Sequence, residues 1–511
     1  MTDANFYITT PIYYPSGSPH IGHAYSSIFA DVFARFKRND KKNVFFITGT
    51  DEHGLKIQKS AEKNNLNPKE YCDKISKVFF NLNKKLSLSN DDFIRTTETR
   101  HHLAVTELWN RLLKSGDIYL SKYKGWYSVS DEAFYQSDEI INKNGKNYSK
   151  FSGSLVEWVE EESFFFKLSA WQNKLLDFYN KQPEFILPYS RRNEVVSFVK
   201  GGLKDLSISR TSFSWGIKVP DNDNHVIYVW LDALTNYLSA LNYPDQNNQL
   251  FKKFWPASLH VIGKDILRFH AVYWPAFLLA AHIKPPERIF SHGWILSDDK
   301  KMSKSQGNIL DPIKIIEKYG ADQIRYYLMK EVSHGSDASI SLNSLETCIN
   351  SDLANNFGNL CQRVFSFVKN NCNNEVSKNN NISTNDKKLL DETIILTKNL
   401  RNEMDKQNLN NYIKSVVKIS FLTNKYINDE EPWKLKITNI EKMNNILHIS
   451  LNQIGKIAIL LNPIIPLATN RVFKALNLKQ EDINLSFLDN KILLDNKIKI
   501  NNLDILFKKI D

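Results

Sequence analysis

TTPIYYPSGSPHIGHAYSSIFAD, residues 9–31, runs from the end of a strand through a turn into a helix. The apolar run 6–10 predicts the strand and residues 15–19 the turn. An amphipathic helix is expected from Ile21, with Ser18 as its N-cap and Pro19 at the first helical position. His20 and His23, three residues apart, then share one face of the helix start. Gly22 between them has no side chain, so a flat ring can lie against the backbone there. Imidazole donors at a helix N-terminus make a phosphate site. Taken alone, the motif reads equally well as two surface histidines on a capped helix, so its meaning depends on the rest of the chain.

Residues 43–48 predict a second buried strand, ending in Gly49-Thr50-Asp51-Glu52-His53-Gly54 and followed by helical sequence from Leu55. Strand, polar loop, helix, repeated, marks a parallel sheet with crossover helices. Ligands bind such sheets at the carboxyl ends of the strands, which directs Tyr14, His20, Asp51 and His53 to one crevice. The alternation stops near Gly116, where 125–129 and 152–158 read as short strands of an inserted β-rich unit. It returns near Asn224: 225–230 as a strand, 231–240 as a helix, 259–265 as strand and loop, 266–281 as an apolar helix. After the strand-like stretch 288–296 comes Asp298-Asp299-Lys300-Lys301-Met302-Ser303-Lys304-Ser305-Gln306-Gly307-Asn308. Its lysines, serines and glycine make a cationic loop able to close over a triphosphate and release it. From Ser344 onward the Leu/Ile/Val spacing predicts a helical bundle, including 386–404, 411–424 and 443–461, with 370–385 as a loop. The expected organisation is a Rossmann-like parallel-sheet α/β domain in two halves (1–115 and 225–343), an insertion (116–224) and an α-helical bundle (344–511).

Lys and Arg number 67 against 56 Asp and Glu, a formal charge of +11. This favours a polyanionic partner, although no compact basic block stands out. With 42% hydrophobic and 24% charged residues the chain has a globular balance, which argues against a disordered or fibrous protein. Cys72, Cys348, Cys361 and Cys372 form no CxxC, so neither a disulfide framework nor a zinc knuckle is expected. No signal-peptide pattern and no apolar run of membrane-spanning length occur, so a cytoplasmic protein without a membrane partner is expected.

Together, His20-Ile21-Gly22-His23 and Lys301-Met302-Ser303-Lys304-Ser305 resemble the two signatures of class I aminoacyl-tRNA synthetases, in the right order and far apart. The surrounding residues are most similar to the methionyl-tRNA synthetases. The stretches that carry this are Thr10-Pro11-Ile12-Tyr13-Tyr14, Gly49-Thr50-Asp51-Glu52-His53-Gly54, Val229-Trp230-Leu231-Asp232-Ala233, Gly263-Lys264-Asp265 and Glu431-Pro432-Trp433. The resemblance implies an ATP-dependent methionine–tRNA ligase: methionine attacks the α-phosphate of ATP, and tRNA(Met) then takes the methionyl group from the adenylate.

By the same resemblance, His20 and His23 hold the phosphates, and Lys301 and Lys304 stabilise the departing pyrophosphate, with Mg2+ held mainly by the nucleotide. Gly22 and Ile295 lie at the adenine, and Gly263 and Asp265 at the ribose. Ile12, Tyr14, Trp230, Tyr237, Phe269 and His270 match the methionine pocket, with Asp51 pairing with the substrate ammonium. An unbranched, polarizable side chain suits such an aromatic, shape-fitted wall. Asn359 and Arg363 match the anticodon-reading pair and Trp433 the aromatic that stacks on a splayed base. The insertion has no cysteine, so it resembles the subtype without structural zinc. The absence of an appended oligonucleotide-binding domain suggests a monomer. Rival readings are a class I synthetase for another amino acid, a non-catalytic tRNA-binding paralogue, and a nucleotidyltransferase of the same superfamily.

Overall fold

Strand Asn5–Thr9 sits inside a six-stranded, all-parallel sheet ordered Asp92–Arg95, Asn43–Thr50, Asn5–Thr9, Leu259–Gly263, Ile289–His292, Ile186–Leu187. Helices cover both faces, and so the strands are apolar throughout: Tyr7, Ile8, Phe46, Ile47, Val261 and Ile262 are all fully buried. From Asn5–Thr9 the chain goes to Asn43–Thr50 on one side and only much later to Leu259–Gly263 on the other. A crevice opens at the carboxyl ends of strands where the order reverses in this way. The computed structural model describes residues 5–131, 133–135, 137–297, 300–301, 310–378, 382–489 and 493–510.

The Rossmann-like sheet and the following helical bundle agree with the sequence reading, with local differences. Strand Ile186–Leu187, from within 116–224, hydrogen-bonds to Ile289–His292 at the sheet edge. The rest of that stretch is mainly antiparallel, with Ile118–Ser128, Glu157–Phe166, Ala133–Tyr135 and Leu206–Ser207 in one four-stranded sheet. The apolar stretch 266–281 is not one α-helix. It passes through a π-helical turn, Phe269–Tyr273, into the α-helix Trp274–Ala280. Within 370–385, expected as loop, Glu375–Ser377 forms a strand with Lys497–Lys499.

The bundle is not a separate body. Helix Ile21–Asn39 packs on helix Leu409–Glu430, with the Phe36 and Tyr412 rings edge to face at 5.6 Å. Beneath them Arg325, fully buried, bonds Asp31 (2.7 Å) and the carbonyls of Leu86 (3.1 Å), Pro463 (2.8 Å) and Ile464 (2.7 Å). Burial alone would push the Asp31 carboxyl up, but the Arg35 and Arg325 guanidiniums and the Ser89 hydrogen bond hold it down at about 2. Phe507 is buried, and Asn350 hydrogen-bonds the backbone of Ile510.

Candidate active site

Helix Ile21–Asn39 starts two residues later than the expected Ser18 cap would place it. The chain stays extended through His20 (φ −122°, ψ 173°), and His20 is itself the N-cap. Its Nδ1 accepts from Gly22 N–H (3.1 Å), and His23 Nδ1 accepts from His20 N–H (3.0 Å). The two rings lie 3.8 Å apart at 33°. Histidine thus plays both roles of a capping box, because an imidazole nitrogen can accept as a serine oxygen does. A neutral ring accepting at Nδ1 carries its proton on Nε2. The cap therefore fixes the tautomer, and His23 is left with a donor on its far edge, in the wall of the cavity described below. Burial and the neighbouring His20 push the His23 pKa well below the ordinary histidine value, so this donor is a neutral N–H. Gly22 is required by the cap as well. A Cβ there would sit 2.9 Å from His20 Cε1 and push the ring out.

A cavity of about 520 Å³ opens over this helix start. Its walls bring together His20, Gly22, His23, Gly263, Asp265 and Ile295 with Ile12, Tyr14, Asp51, Trp230, Tyr237, Phe269 and His270. Gly263 leaves room for Asp265, since a Cβ there would lie 2.6 Å from Asp265 Oδ1.

The aromatic residues of the cavity are held by stacking and, at Tyr14, Tyr237 and His270, by hydrogen bonds. Trp230 and Phe269 stack at 3.7 Å and 5°. His270 Nδ1–H donates to the Ile266 carbonyl (3.0 Å), which leaves Nε2 to accept from the Tyr237 hydroxyl (2.7 Å). Tyr237 also stacks on His260 at 4.1 Å, and Tyr14 donates to the His53 carbonyl (2.8 Å). Beneath the pocket floor Asp232, fully buried, joins His53 Nδ1 and His101 Nε2, each at 2.7 Å. Burial would raise this carboxyl, but His53 and the His101 hydrogen bond hold it well below the usual range. Tyr13, Ser26, Asn236, His292 and Trp294 also line the cavity. The sequence reading assigned them no role. Tyr13 lay inside the opening motif, but nothing in spacing or pattern marks His292 or Asn236.

Lys304 lies outside the described residues. Lys301 falls in strand Lys300–Lys301, paired antiparallel with Ile295–Ser297. Ile295 is in the cavity wall, and the Leu310 carbonyl accepts from Ile21 N–H (3.2 Å) at the start of the histidine helix. Among the described residues no group of three or more His, Cys, Asp or Glu is placed to hold a metal ion. No described helix is long and apolar enough to cross a membrane.

In the bundle, Asn359 and Arg363 lie on helix Asn359–Asn371 and line a groove of about 950 Å³ against helix Leu409–Glu430. Arg363 donates to Asn428 Oδ1 (2.7 Å) and faces the Trp433 ring at 5.6 Å. Trp433 follows a left-handed Glu431 (φ 45°) in the turn Pro432–Lys434 and is 38% exposed. It is therefore a surface ring and not a bundle core residue.

The buried histidines predict an acid response. Burial depresses His270 to about 4 and His334 to about 3, whereas an unfolded histidine titrates near 6.5. The unfolded chain therefore takes up more protons as pH falls from 6.5 toward 4, so stability is full above that window and lost within it. The loss is on the order of 3 kcal/mol from His270 alone. Melting temperature should fall steadily between pH 6.5 and 4, before most carboxylates protonate. A flat profile there would contradict the assignment of neutral buried rings.

The family described as tRNA synthetases class I (M) matches residues 6–365, and the anticodon binding domain of methionyl tRNA ligase matches 376–511. A methionine–tRNA ligase of Rickettsia typhi is 50% identical over 487 residues, covering 93% of this chain and 94% of the relative. One from Rhizobium meliloti is 50% identical over 462 residues, covering 90% and 89%. The Mycobacterium tuberculosis methionyl-tRNA synthetase in complex with methionyl-adenylate superposes with a TM-score of 0.96 at 42% identity, over 99% of each chain. Its free-state structure gives 0.89 at 39% identity, over 99% and 98%. With the family matched across most of its length, this chain belongs to the methionyl-tRNA synthetases of class I.

Proposed function

We propose that the chain joins methionine to tRNA(Met) in two steps within the one cavity. The observation that carries this reading is the meeting of two sets of residues. Neutral imidazole donors at a helix N-terminus line the same cavity as a set of packed aromatic residues and one buried carboxylate, Asp51. In the first step a methionine carboxylate oxygen attacks the α-phosphorus of ATP, the bond to the bridging oxygen breaks, and pyrophosphate leaves. Charge grows on phosphoryl oxygens, so pre-placed donors lower the barrier without a nucleophilic side chain. His20 and His23 supply these donors, and Lys301 and Lys304 neutralise the pyrophosphate. Gly22 and Ile295 border the adenine, with Gly263 and Asp265 at the ribose.

Ile12, Tyr14, Trp230, Tyr237, Phe269 and His270 enclose the thioether, and Asp51 pairs with the ammonium. Magnesium arrives on the nucleotide. In the second step a hydroxyl of the terminal tRNA ribose attacks the methionyl carbonyl and AMP departs. The absence of cysteine from 116–224 supports an insertion without structural zinc. The same reading takes the protein as a cytoplasmic monomer, as the resemblance implies.

Asn359, Arg363 and Trp433 read the anticodon in this account, with the half-exposed Trp433 ring as a base-stacking surface. Stacking of a base on an aromatic ring is worth ~1–3 kcal/mol. Trp433→Ala should therefore lower charging of a CAU-anticodon transcript by about ten- to a hundredfold and leave methionine-dependent ATP–pyrophosphate exchange unchanged. Altering the anticodon should have the same effect on the unmodified protein. Equal charging of transcripts with CAU and altered anticodons would sink the assignment.

A further inference from the structure

The insertion contributes its own residues to the wall of the cavity. Tyr135, Glu139, Phe151 and Ser152 line it, together with Arg268 from beyond the sheet strand Leu259–Gly263. Phe151 is 49% exposed although it lies in a cavity wall. Its loop is pre-organised, with Asp131 accepting from the Ser154 hydroxyl (2.8 Å) and the Tyr135 hydroxyl (2.8 Å), and Gly153 N–H donating to the Ser149 carbonyl (2.9 Å). The Arg268 guanidinium is held between two rings, 5.4 Å from the Phe151 centroid and 4.2 Å from that of Phe198, with Glu139 at 3.1 Å. An exposed ring on a rigid loop, with a cation beside it, suits single-stranded nucleic acid better than a small substrate. Stacking tolerates any base, and the guanidinium answers a phosphodiester.

We propose that Phe151 is the stacking platform for the terminal base of the tRNA acceptor end, with Arg268 as the cation for the adjoining phosphate. This rests on the two-step reading above and adds where the second substrate enters. Every tRNA ends in an unpaired adenosine whose ribose must reach the methionyl carbonyl. Phe151 and Arg268 line the same cavity as the two histidines and the aromatic residues. Phe151 and Arg268 bind and position that nucleotide and take no part in bond making.

The test separates the two half-reactions in the full chain. Phe151→Ala should leave methionine-dependent ATP–pyrophosphate exchange, which needs no tRNA, within about twofold of the parent. Single-turnover transfer from preformed methionyl-adenylate, at subsaturating tRNA, should slow about tenfold, as loss of one base stack implies. Phe151→Tyr, which keeps the ring, should restore transfer. Removing the terminal adenosine from the tRNA should weaken its competition about tenfold against the parent and hardly at all against Phe151→Ala. Transfer at the parental rate, exchange falling as far as transfer, or an unchanged penalty for the missing adenosine would each overturn the proposal. A parent protein without exchange activity would instead defeat the two-step reading itself.

Discussion

Replacing His23 with asparagine is expected to cut methionine-dependent ATP–pyrophosphate exchange by about a hundredfold or more, the usual cost of removing one donor from a charge-stabilising site. The melting temperature should stay within a few degrees of the parent. The two readouts divide because the ring uses its two nitrogens differently. Nδ1 accepts from His20 N–H and caps the helix, while the Nε2 edge is left for the cavity. An asparagine Oδ1 sits close to where Nδ1 does and can keep the cap, but it places nothing at the Nε2 position. His23→Ala should lose both, with about 1 kcal/mol of stability gone along with the cap. The neutral state of His23 adds a second signature, since burial holds it uncharged. Exchange should therefore show no step attributable to His23 between pH 6 and 8. Full exchange activity in His23→Asn would mean that the ring is a cap and nothing more.

The second large effect is expected on stability and on coupling between the two parts of the chain. Arg325→Met should cost about 3–5 kcal/mol, the range for breaking a buried ion pair by removing one partner. The residue binds a fully buried carboxylate and three main-chain carbonyls. Methionine fills much of the volume and satisfies none of these acceptors. Asp31 would keep Arg35 and Ser89, so the protein should still fold, with a lower melting temperature. Asp31 lies on the helix that begins with the two histidines, and the Pro463 and Ile464 carbonyls belong to the turn between two bundle helices. Loosening that joint should therefore reduce tRNA charging more than pyrophosphate exchange. An unchanged melting temperature would show that the buried network contributes little, and equal losses in both reactions would remove the coupling.

What the sequence disclosed follows from how local each signal is. Tyr14 and His20 follow one predicted strand and Asp51 and His53 the next, so the strand-loop-helix pattern alone directs them to a shared crevice, whereas the places of Gly263 and Asp265 at the ribose needed the resemblance. The aromatic residues needed the resemblance, because Trp230, Tyr237, Phe269 and His270 would read as core in any apolar helix. Phe269 and His270 face different partners, Trp230 and Tyr237, from a π-turn, and an extra residue per turn leaves no trace in an apolar run. The edge strand Ile186–Leu187 is too short to show alternation. Ser18 looked like the cap because serine usually is one, whereas an imidazole acceptor in that role has no sequence rule. Arg325 reads as a surface cation, since only its tertiary partners make burial tolerable.

The central claim is that the donors at the helix start and the aromatic pocket serve a single reaction on ATP and methionine. ATP–pyrophosphate exchange by the purified protein, measured with each of the twenty amino acids, tests it most directly. The account predicts rapid exchange with methionine and little with any other. Exchange driven by a different amino acid, or by none, would contradict it.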